Sequence, residues 1–395
     1  MVDSGLNVPE RFLVTHSIKR QKLFDAASKA VDKLERNVKK YGTGFPWTHS
    51  VEHRYTWGEN IHWECGMYTG CFWLAYELTG NMFFREVAES HFETYKRRMD
   101  EHINLNDHDV GFVFSPSCVA QYMITGDEKA KLVALDAAQY FFDNSYSQKG
   151  KFIIRAFEGW NDGWGCRTMM DSLMNAPLLF WYSNQTGNTS YYNAALNHNY
   201  TTCKLLIRSD GSSFHHYQFD PKTSLPVKGL TFQGHSDVSC WSRGHSWGIY
   251  GLPNAYSYTN DKTIKSTHKL VSEFMLNHLN EDNIPYWDYD FVSGDDQPRD
   301  SSSAAISSCG FHEMARLLPD GDATKQIYSN ASALLLEAVI DKCAVEPEAE
   351  CDGIIQHVTH ALPQRAGIDE CSIYGDYFYL EALLRQLKPD WKKYW

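Results

Sequence analysis

The sequence has no apolar run approaching the roughly 20 residues of a membrane-spanning helix. It has no CxxC pair, no phosphate-cradling loop and no dinucleotide-binding fingerprint. Basic residues are in deficit: 37 Lys+Arg against 49 Asp+Glu leave a net charge of −12. A nucleic-acid binder usually needs a broad basic face, so this balance argues against one. The amino terminus, MVDSGLNVPERF, shows no basic lead followed by an apolar stretch. No secretory leader is therefore expected, and the expected location is cytoplasmic. Linkers and low-complexity tracts are also missing.

Apolar and aromatic residues, by contrast, are plentiful. They make up 43% and 14% of the 395 residues, enough for a large core. Length alone favours two or three domains. The ten cysteines are scattered. Cys65 and Cys71 lie in an aromatic run and read as small buried hydrophobes, whereas Cys343 and Cys351 flank an acidic loop, a spacing open to a disulfide. Four N-x-S/T sequons begin at Asn184, Asn188, Asn199 and Asn330, about the number chance supplies in an Asn-rich chain.

Internal repetition decides the architecture. One phrase recurs: an apolar helix, a short turn, then an amphipathic helix. It reads CFWLAYELTGN (71–81), VAQYMITGDE (119–128), LLFWYSNQTGN (178–188), PNAYSYTND (253–261) and CGFHEMARLLPDGD (309–322). A glycine near the end of such a phrase suits a left-handed helix C-cap. The helix after the turn carries one buried stripe. In FFREVAESHFETYKRRM, Phe84, Val87, Ala88, Phe92, Tyr95 and Met99 follow i, i+3, i+4 spacing, while Arg85, Glu89 and Lys96 face away. The helices before the turns are apolar nearly all round, which means burial on both sides. With an amino-terminal helix at about 18–40 and a last one at 372–387, about twelve helices fit. The expected fold is an all-α (α/α)6 barrel, one domain over 1–395. KFIIRAF (151–157), SSFHHYQFD (212–220) and IPYWDYDF (284–291) read as strand-like loops over one mouth of that barrel.

Polar and aromatic clusters open the inner helices: HDVGF (108–112), RTMMDSLMNAPLL (167–179), CWSRGHSWGIYG (240–251), DSSSAAI (300–306) and YGDYFYLEAL (374–383). Parallel inner helices would bring these clusters to one cavity walled by Trp, Tyr and His. Aromatic walls suit a sugar ring, which has apolar C–H faces and a hydroxylated rim. Trp73 and Trp181 lie inside helices and read as core. Trp241 and Trp247, beside Arg243 at a helix entrance, read as cavity wall. Asp109 and Asp171 each start an apolar inner helix. Asp171 is flanked by Met169, Met170, Leu173 and Met174. Desolvation and a second carboxylate raise the pKa of such a group, and a helix amino terminus lowers it. If the raising effects win, Asp171 is protonated near neutrality and can donate a proton and take one back. The alternative reading makes both residues N-caps that hold first-turn N–H groups.

Three motifs mislead. GHSWG (244–248) matches a nucleophile-elbow pattern, but that motif needs a strand before it and a helix after it. HEMAR (312–316) lacks the second histidine of a zinc helix. His215 and His216 are adjacent in a strand-like segment and point to opposite faces, so no metal is expected there.

The sequence resembles the unsaturated glucuronyl hydrolases, glycoside hydrolase family 88, from about Arg36 to Arg385. The likeness rests on HDVGF, MMDSLMNAPLLFW, SSFHHYQFDP (212–221), FQGHSD (232–237), WSRGHSWGIYG (241–251), YWDYDF (286–291), RDSSSAAI (299–306) and YGDYFYLEALLR (374–385). It implies an (α/α)6 barrel, no cofactor and no metal. It also implies hydration of the C4=C5 vinyl ether in the 4,5-unsaturated uronate that polysaccharide lyases leave at a non-reducing end. The resulting hemiketal opens and expels the neighbouring sugar. Asp171 matches the residue that protonates C4 and then deprotonates the water adding at C5. Asp109 matches the second acidic residue. Trp63, His215, Gln233, Ser239, Trp241, Arg243 and Trp247 match substrate-binding positions. Arg243 is the candidate for the substrate carboxylate, or else for orienting an aspartate. The implied partner is an unsaturated oligosaccharide, with neither nucleic acid nor membrane, and the oligomeric state stays open. Two departures stand out: Gly66-Met67-Tyr68 replaces the frequent G-F-W, and ALPQRAGIDE (361–370) has no clear version of the stretch that favours sulfated substrates. The rivals are an unsaturated rhamnogalacturonyl hydrolase, a sugar epimerase and a non-catalytic sugar-binding toroid.

Overall fold

A computed structural model describes residues 5–154 and 166–395. The repeated phrase becomes a helical hairpin each time. The outer member is amphipathic: Arg20–Tyr41 buries Leu23, Ala27, Ala30, Val31, Leu34 and Val38 along one stripe and ends on Lys39 and Lys40, which suit the negative end of the helix dipole. The stripe read in 83–99 is also buried, although a break at His91 divides it between Met82–Ser90 and Phe92–Asp100. The other outer helices are Glu128–Ser145, Thr189–Leu205, Lys262–Asn277 and Ala323–Lys342.

The inner helices are buried almost all round. They are Cys65–Thr79, the run Val110–Phe114 to Ala120–Thr125, Ser172–Asn175 with Pro177–Thr186, Ser242–Thr259, Ser301–Leu317 and Ile373–Leu387. Ile373–Leu387 packs on Ser301–Leu317 at one side and on Cys65–Thr79 at the other, which closes the ring. Among the described residues these elements make six hairpins in two concentric layers, the expected (α/α)6 barrel. Close inner contacts depend on missing side chains. A Cβ on Gly111 would lie 2.5 Å from the Asn175 Cα, and one on Gly66 would collide with the Phe112 and Val113 carbonyls. The run through 110–125 contains one π-helical turn, Ser115–Val119, with Pro116 inside it.

The turns follow from local chemistry. Gly80, Gly126 and Gly187 end inner helices at φ of 71°, 75° and 75°. The next residues, Asn81, Asp127 and Asn188, accept a first-turn N–H of the outer helix. Each such cap contributes about 1 kcal/mol. The fourth hairpin uses Asn260 at φ 49° for the same purpose. The fifth departs: its inner helix ends in extended backbone at Leu318, and Gly321 sits in the turn before Asp322.

Strand signals were less faithful. Within 212–220 only His216–Phe219 is a strand, and it is the middle of an antiparallel sheet with Cys166–Met169 and Pro226–Leu230. Phe152–Ile153 pairs with Tyr146–Ser147, and residues 155–157 of that predicted segment lie outside the described residues. Segment 284–291 forms only isolated bridges, Trp241 to Asp288 and Tyr286 to Arg299. Its backbone groups serve the start of Ser242–Thr259 instead: Ser242 N–H donates to Trp287 O, and Tyr289 N–H donates to Cys240 O. All ten cysteines are free thiols. The Cys343–Cys351 bridge is not formed; Cys351 faces Cys371 instead, with the sulfurs 3.1 Å apart. Asn199 and Asn330 are fully buried, so their sequons are closed to modification. No helix among the described residues is long and apolar enough to cross a membrane.

Candidate active site

The amino-terminal ends of the inner helices surround a cavity of about 500 Å3. Trp63, Asp109, Asp171, Gln233, Trp241, Arg243 and Trp247 all border it. Trp63 stacks on Tyr374 with ring centroids 5.6 Å apart and also meets Phe112 at 5.3 Å. Trp73 and Trp181 stay in the hydrophobic core, away from this cavity.

Local structure places the two carboxylates. The strand Cys166–Met169 ends at the mouth, Met170 N–H donates to His215 O at 2.9 Å, and the chain turns into Ser172–Asn175 with Asp171 at the turn. Asp109 occupies the equivalent place before Val110. Neither side chain makes a capping hydrogen bond to its helix, so the N-cap reading fails for both. Buried Asn175 ties the two starts together. Its Nδ2 donates to Asp171 O at 3.2 Å and to Asp109 Oδ1 at 3.5 Å, and its Oδ1 accepts from Phe112 N–H at 2.7 Å.

The group between the carboxylates is His108. Its Nε2 lies 2.9 Å from Asp171 Oδ1 and 3.3 Å from Asp109 Oδ1, while its Nδ1 pairs with Asp107. Burial opposes charge on this ring, but Asp107, Asp109 and Asp171 outweigh burial and raise its pKa well above the ordinary value. His108 is therefore an imidazolium that gives hydrogen bonds in both directions. The apolar surroundings expected for Asp171 are present, since Met169, Met170, Leu173 and Met174 are all buried. What the sequence did not reveal is this cation at its carboxylate.

Arg243 is also buried and committed. Its Nη1 donates to Asp300 Oδ2 at 2.7 Å and to Thr359 O at 2.7 Å, and its Nη2 donates to His360 O. The guanidinium lies between the Trp241 and Tyr374 rings, 4.5 and 4.7 Å from their centroids. Its aspartate partner is Asp300, rather than Asp109 or Asp171. Among the described residues Nε and one Nη2 hydrogen have no hydrogen-bond partner. Beside it, burial and then Arg243 hold the His360 pKa well below the ordinary value, so that ring is neutral. Cavity-lining cations are Arg98, Arg243 and His108; the lining acids are Asp107, Asp109 and Asp171, with Asp300 behind Arg243.

Two expected binding residues stand behind the wall. Among the described residues that border the cavity, His215 and Ser239 are absent. His215 Nδ1 accepts from Phe232 N–H at 3.1 Å and Gln233 N–H at 3.3 Å, which sets the loop that presents Gln233. Gln233 Nε2 then donates to His360 O at 2.9 Å. Ser239 donates to Asp288 Oδ2 at 2.7 Å. Ser246, in the interior of a helix, bonds to Ser242 O and the Ser303 hydroxyl and has no histidine partner. The esterase-like reading of GHSWG is thereby excluded. His108, Asp300 and His360 are the functional neighbours that sequence reading missed. The signal for His108 was present in Asp107-His108-Asp109, a histidine flanked by two carboxylates.

Residues 35–361 match the model of Glycosyl Hydrolase Family 88. The chain belongs to this family. It is 38% identical over 390 residues to an unsaturated chondroitin disaccharide hydrolase from Streptococcus pneumoniae, a match covering 98% of this chain and 97% of that one. It is 36% identical to an unsaturated glucuronyl hydrolase from a Bacillus species, over 89% of this chain and 93% of the other. The crystal structure of unsaturated glucuronyl hydrolase from Streptococcus agalactiae superposes with a TM-score of 0.94 at 36% identity, covering 99% of this chain and 98% of that one. A mutant of the S. agalactiae enzyme complexed with dGlcA-GalNAc6S gives a TM-score of 0.87 at 35% identity, covering 99% and 97%. This chain is thus a glycoside hydrolase of family 88.

Proposed function

We propose that this enzyme removes a 4,5-unsaturated uronic acid from the non-reducing end of lyase-generated oligosaccharides by hydrating the C4=C5 vinyl ether. The observation that carries the reading is the meeting of Asp109 and Asp171 on one His108 nitrogen inside an aromatic-walled cavity. The proton ledger is short. Asp171 gives a proton to C4, and the resulting oxocarbenium-like centre at C5 is captured by water. Asp171, now a carboxylate, takes a proton from that water. The hemiketal opens and the adjacent sugar leaves as an alcohol. His108 gives the Asp171 carboxylate a hydrogen bond while it is charged, and Asp109 holds sugar hydroxyls and the developing positive charge.

Trp63, Trp241 and Trp247 supply faces for the sugar ring. Gln233 and the free donors of Arg243 address its polar rim and carboxylate, with His215 and Ser239 supporting the wall from behind. An unsaturated chondroitin disaccharide is the substrate of first choice, because three relatives at 36–38% identity carry that name. The toroid works as one catalytic domain over 1–395, on a free oligosaccharide rather than on nucleic acid or membrane. Ten free thiols fit a reducing, cytoplasmic setting.

The test is direct. Unsaturated chondroitin, hyaluronan and heparin disaccharides are mixed with the enzyme and the ultraviolet absorbance of the double bond is followed. Absorbance falls if the bond is hydrated. A signal that persists across all these disaccharides and a rhamnogalacturonan counterpart refutes the reaction; loss of signal with the last alone moves the substrate class.

A further inference from the structure

Outside the active site, one cluster of reactive groups is left without a role. Cys351 and Cys371 bring their sulfurs to 3.1 Å, already in contact but unbonded. Both residues are buried, yet Cys351 borders a second cavity of about 390 Å3 lined by Lys33, Arg36, Lys39, Lys40 and Arg54. Arg36 pairs with Glu348 at 2.8 Å, Lys39 with Glu35, and Arg54 with Asp352 at 3.0 Å, which leaves Lys33 as the cation beside the thiol. Lys33 reaches inward and donates to Cys351 O at 2.6 Å. An electropositive, accessible pocket beside a thiol is the setting of a reactive cysteine, because it favours thiolate. The contact with Cys371 lowers the Cys351 pKa, and Lys33 adds to that against the opposing effect of burial.

We propose that Cys351 and Cys371 are a peroxide-oxidisable dithiol, with Cys351 the attacking and Cys371 the resolving sulfur. The Cys351 thiolate attacks one oxygen of a hydroperoxide, the O–O bond breaks, and an alcohol or water leaves with a proton. Cys351 is then a sulfenic acid. The Cys371 sulfur attacks it, an S–S bond forms, and the sulfenic oxygen leaves as water with the thiol proton. Two electrons pass from the thiols to the peroxide. The cross-link closes the segment 351–371, whose Thr359 and His360 carbonyls hold Arg243 at the active site. Oxidation at the far pocket therefore stiffens one wall of the substrate cavity.

His53 offers an imidazole nitrogen within 4.8 Å of both sulfurs, so a soft divalent metal is the competing occupant. Lys33 beside Cys351 disfavours a metal cation and favours the thiolate, which favours oxidation. The full chain is treated with hydrogen peroxide under native conditions, quenched with an alkylating reagent and digested with trypsin. The expected product is a loss of two hydrogens and a Cys351–Cys371 linked peptide pair, reversed by dithiothreitol. It forms at least about tenfold faster than oxidation of the other cysteines. In Cys371→Ser a dimedone adduct accumulates on Cys351. Oxidation no faster than at the other cysteines, linkage only after unfolding, or one tightly held zinc per chain that is lost in Cys351→Ser would overturn the proposal. None of these readouts depends on which sugar the enzyme cleaves.

Discussion

His108 holds its Nε2 at 2.9 Å from Asp171 Oδ1, on the side of the residue that faces Asp109. The histidine donor therefore fixes the orientation of the side chain at position 171. Asp171→Asn keeps the shape and an acceptor for His108 but cannot exchange a proton. The variant should fold, melt within a few degrees of the wild type, and lose about 10³-fold or more of its turnover. The ultraviolet assay checks this, and near-normal rates in the variant would refute the assigned role.

His108 also makes stability depend on pH in one direction. Its folded pKa is raised above the ordinary value of 6.5, by Asp107, Asp109 and Asp171 against the cost of burial. A raised pKa means that the folded state binds the proton more tightly than the unfolded chain. The stabilisation is complete below pH about 6.5 and fades as pH climbs through the raised folded value. His108→Asn should cost about 3–5 kcal/mol near pH 6, since three carboxylates lose their buried partner. That deficit should narrow in thermal melts taken at rising alkaline pH. Parallel curves for variant and wild type at every pH would dismiss the charged form.

These two predictions concern features of unequal visibility. The hairpin pattern was legible because it is written in local chemistry: apolar runs, one-sided stripes, and Gly-Asn or Gly-Asp at the turns. The aspartates were legible because each interrupts an apolar stretch at a helix start. The meeting of His108 with Asp171 was not, since the partners lie 63 positions apart and only the ring brings them together. Arg243 with Asp300 is the same case, 57 positions apart. His215 lies one position before the strand His216–Phe219, and whether such a residue faces the cavity or supports the Gln233 loop depends on packing between elements. The strand-like loop expected at 284–291 forms isolated bridges, and its backbone groups pair with the start of a neighbouring helix.

Arg243 and Asp300 form a buried pair with a 2.7 Å contact, and neither has water to fall back on. Burial raises the Asp300 pKa, and Arg243 pulls it back. Lysine cannot span Asp300 and two carbonyls as the guanidinium fork does. Arg243→Lys and Asp300→Asn should each destabilise the fold by about 3 kcal/mol. The double variant should cost less than the sum of the two, with a coupling of about 1–3 kcal/mol in denaturant titrations. Strict additivity would show that the pair does not act as a unit.

Trp63 is only half-buried and rests on Tyr374 at the cavity edge. Trp63→Ala removes a face from the sugar without opening the core. KM should rise about fivefold, corresponding to the roughly 1 kcal/mol of a lost aromatic contact. The melting temperature should change little. Steady-state kinetics on one unsaturated disaccharide separates the two constants; a fall in kcat with KM unchanged would place Trp63 in the chemical step instead of in binding.

Ser246 provides the control. Its hydroxyl is fully buried, donates to Ser242 O at 2.9 Å, and sits 2.7 Å from Ser303 Oγ and 2.9 Å from Ser307 Oγ. The adjacent His245 turns away, with Nδ1 3.0 Å from Ser213 and Nε2 2.9 Å from Val271 O. A nucleophile needs a base within reach and an open approach, and Ser246 has neither. Ser246→Ala leaves Ser303 and Ser307 short of a partner, so it should lower stability by about 1–3 kcal/mol. Turnover of unsaturated disaccharide should stay within about twofold of the wild type, because a hydroxyl bonded only within the inner helices makes no contact with substrate. Inactivation of a folded variant that still binds the sugar would return the serine to the mechanism and displace Asp171 from it.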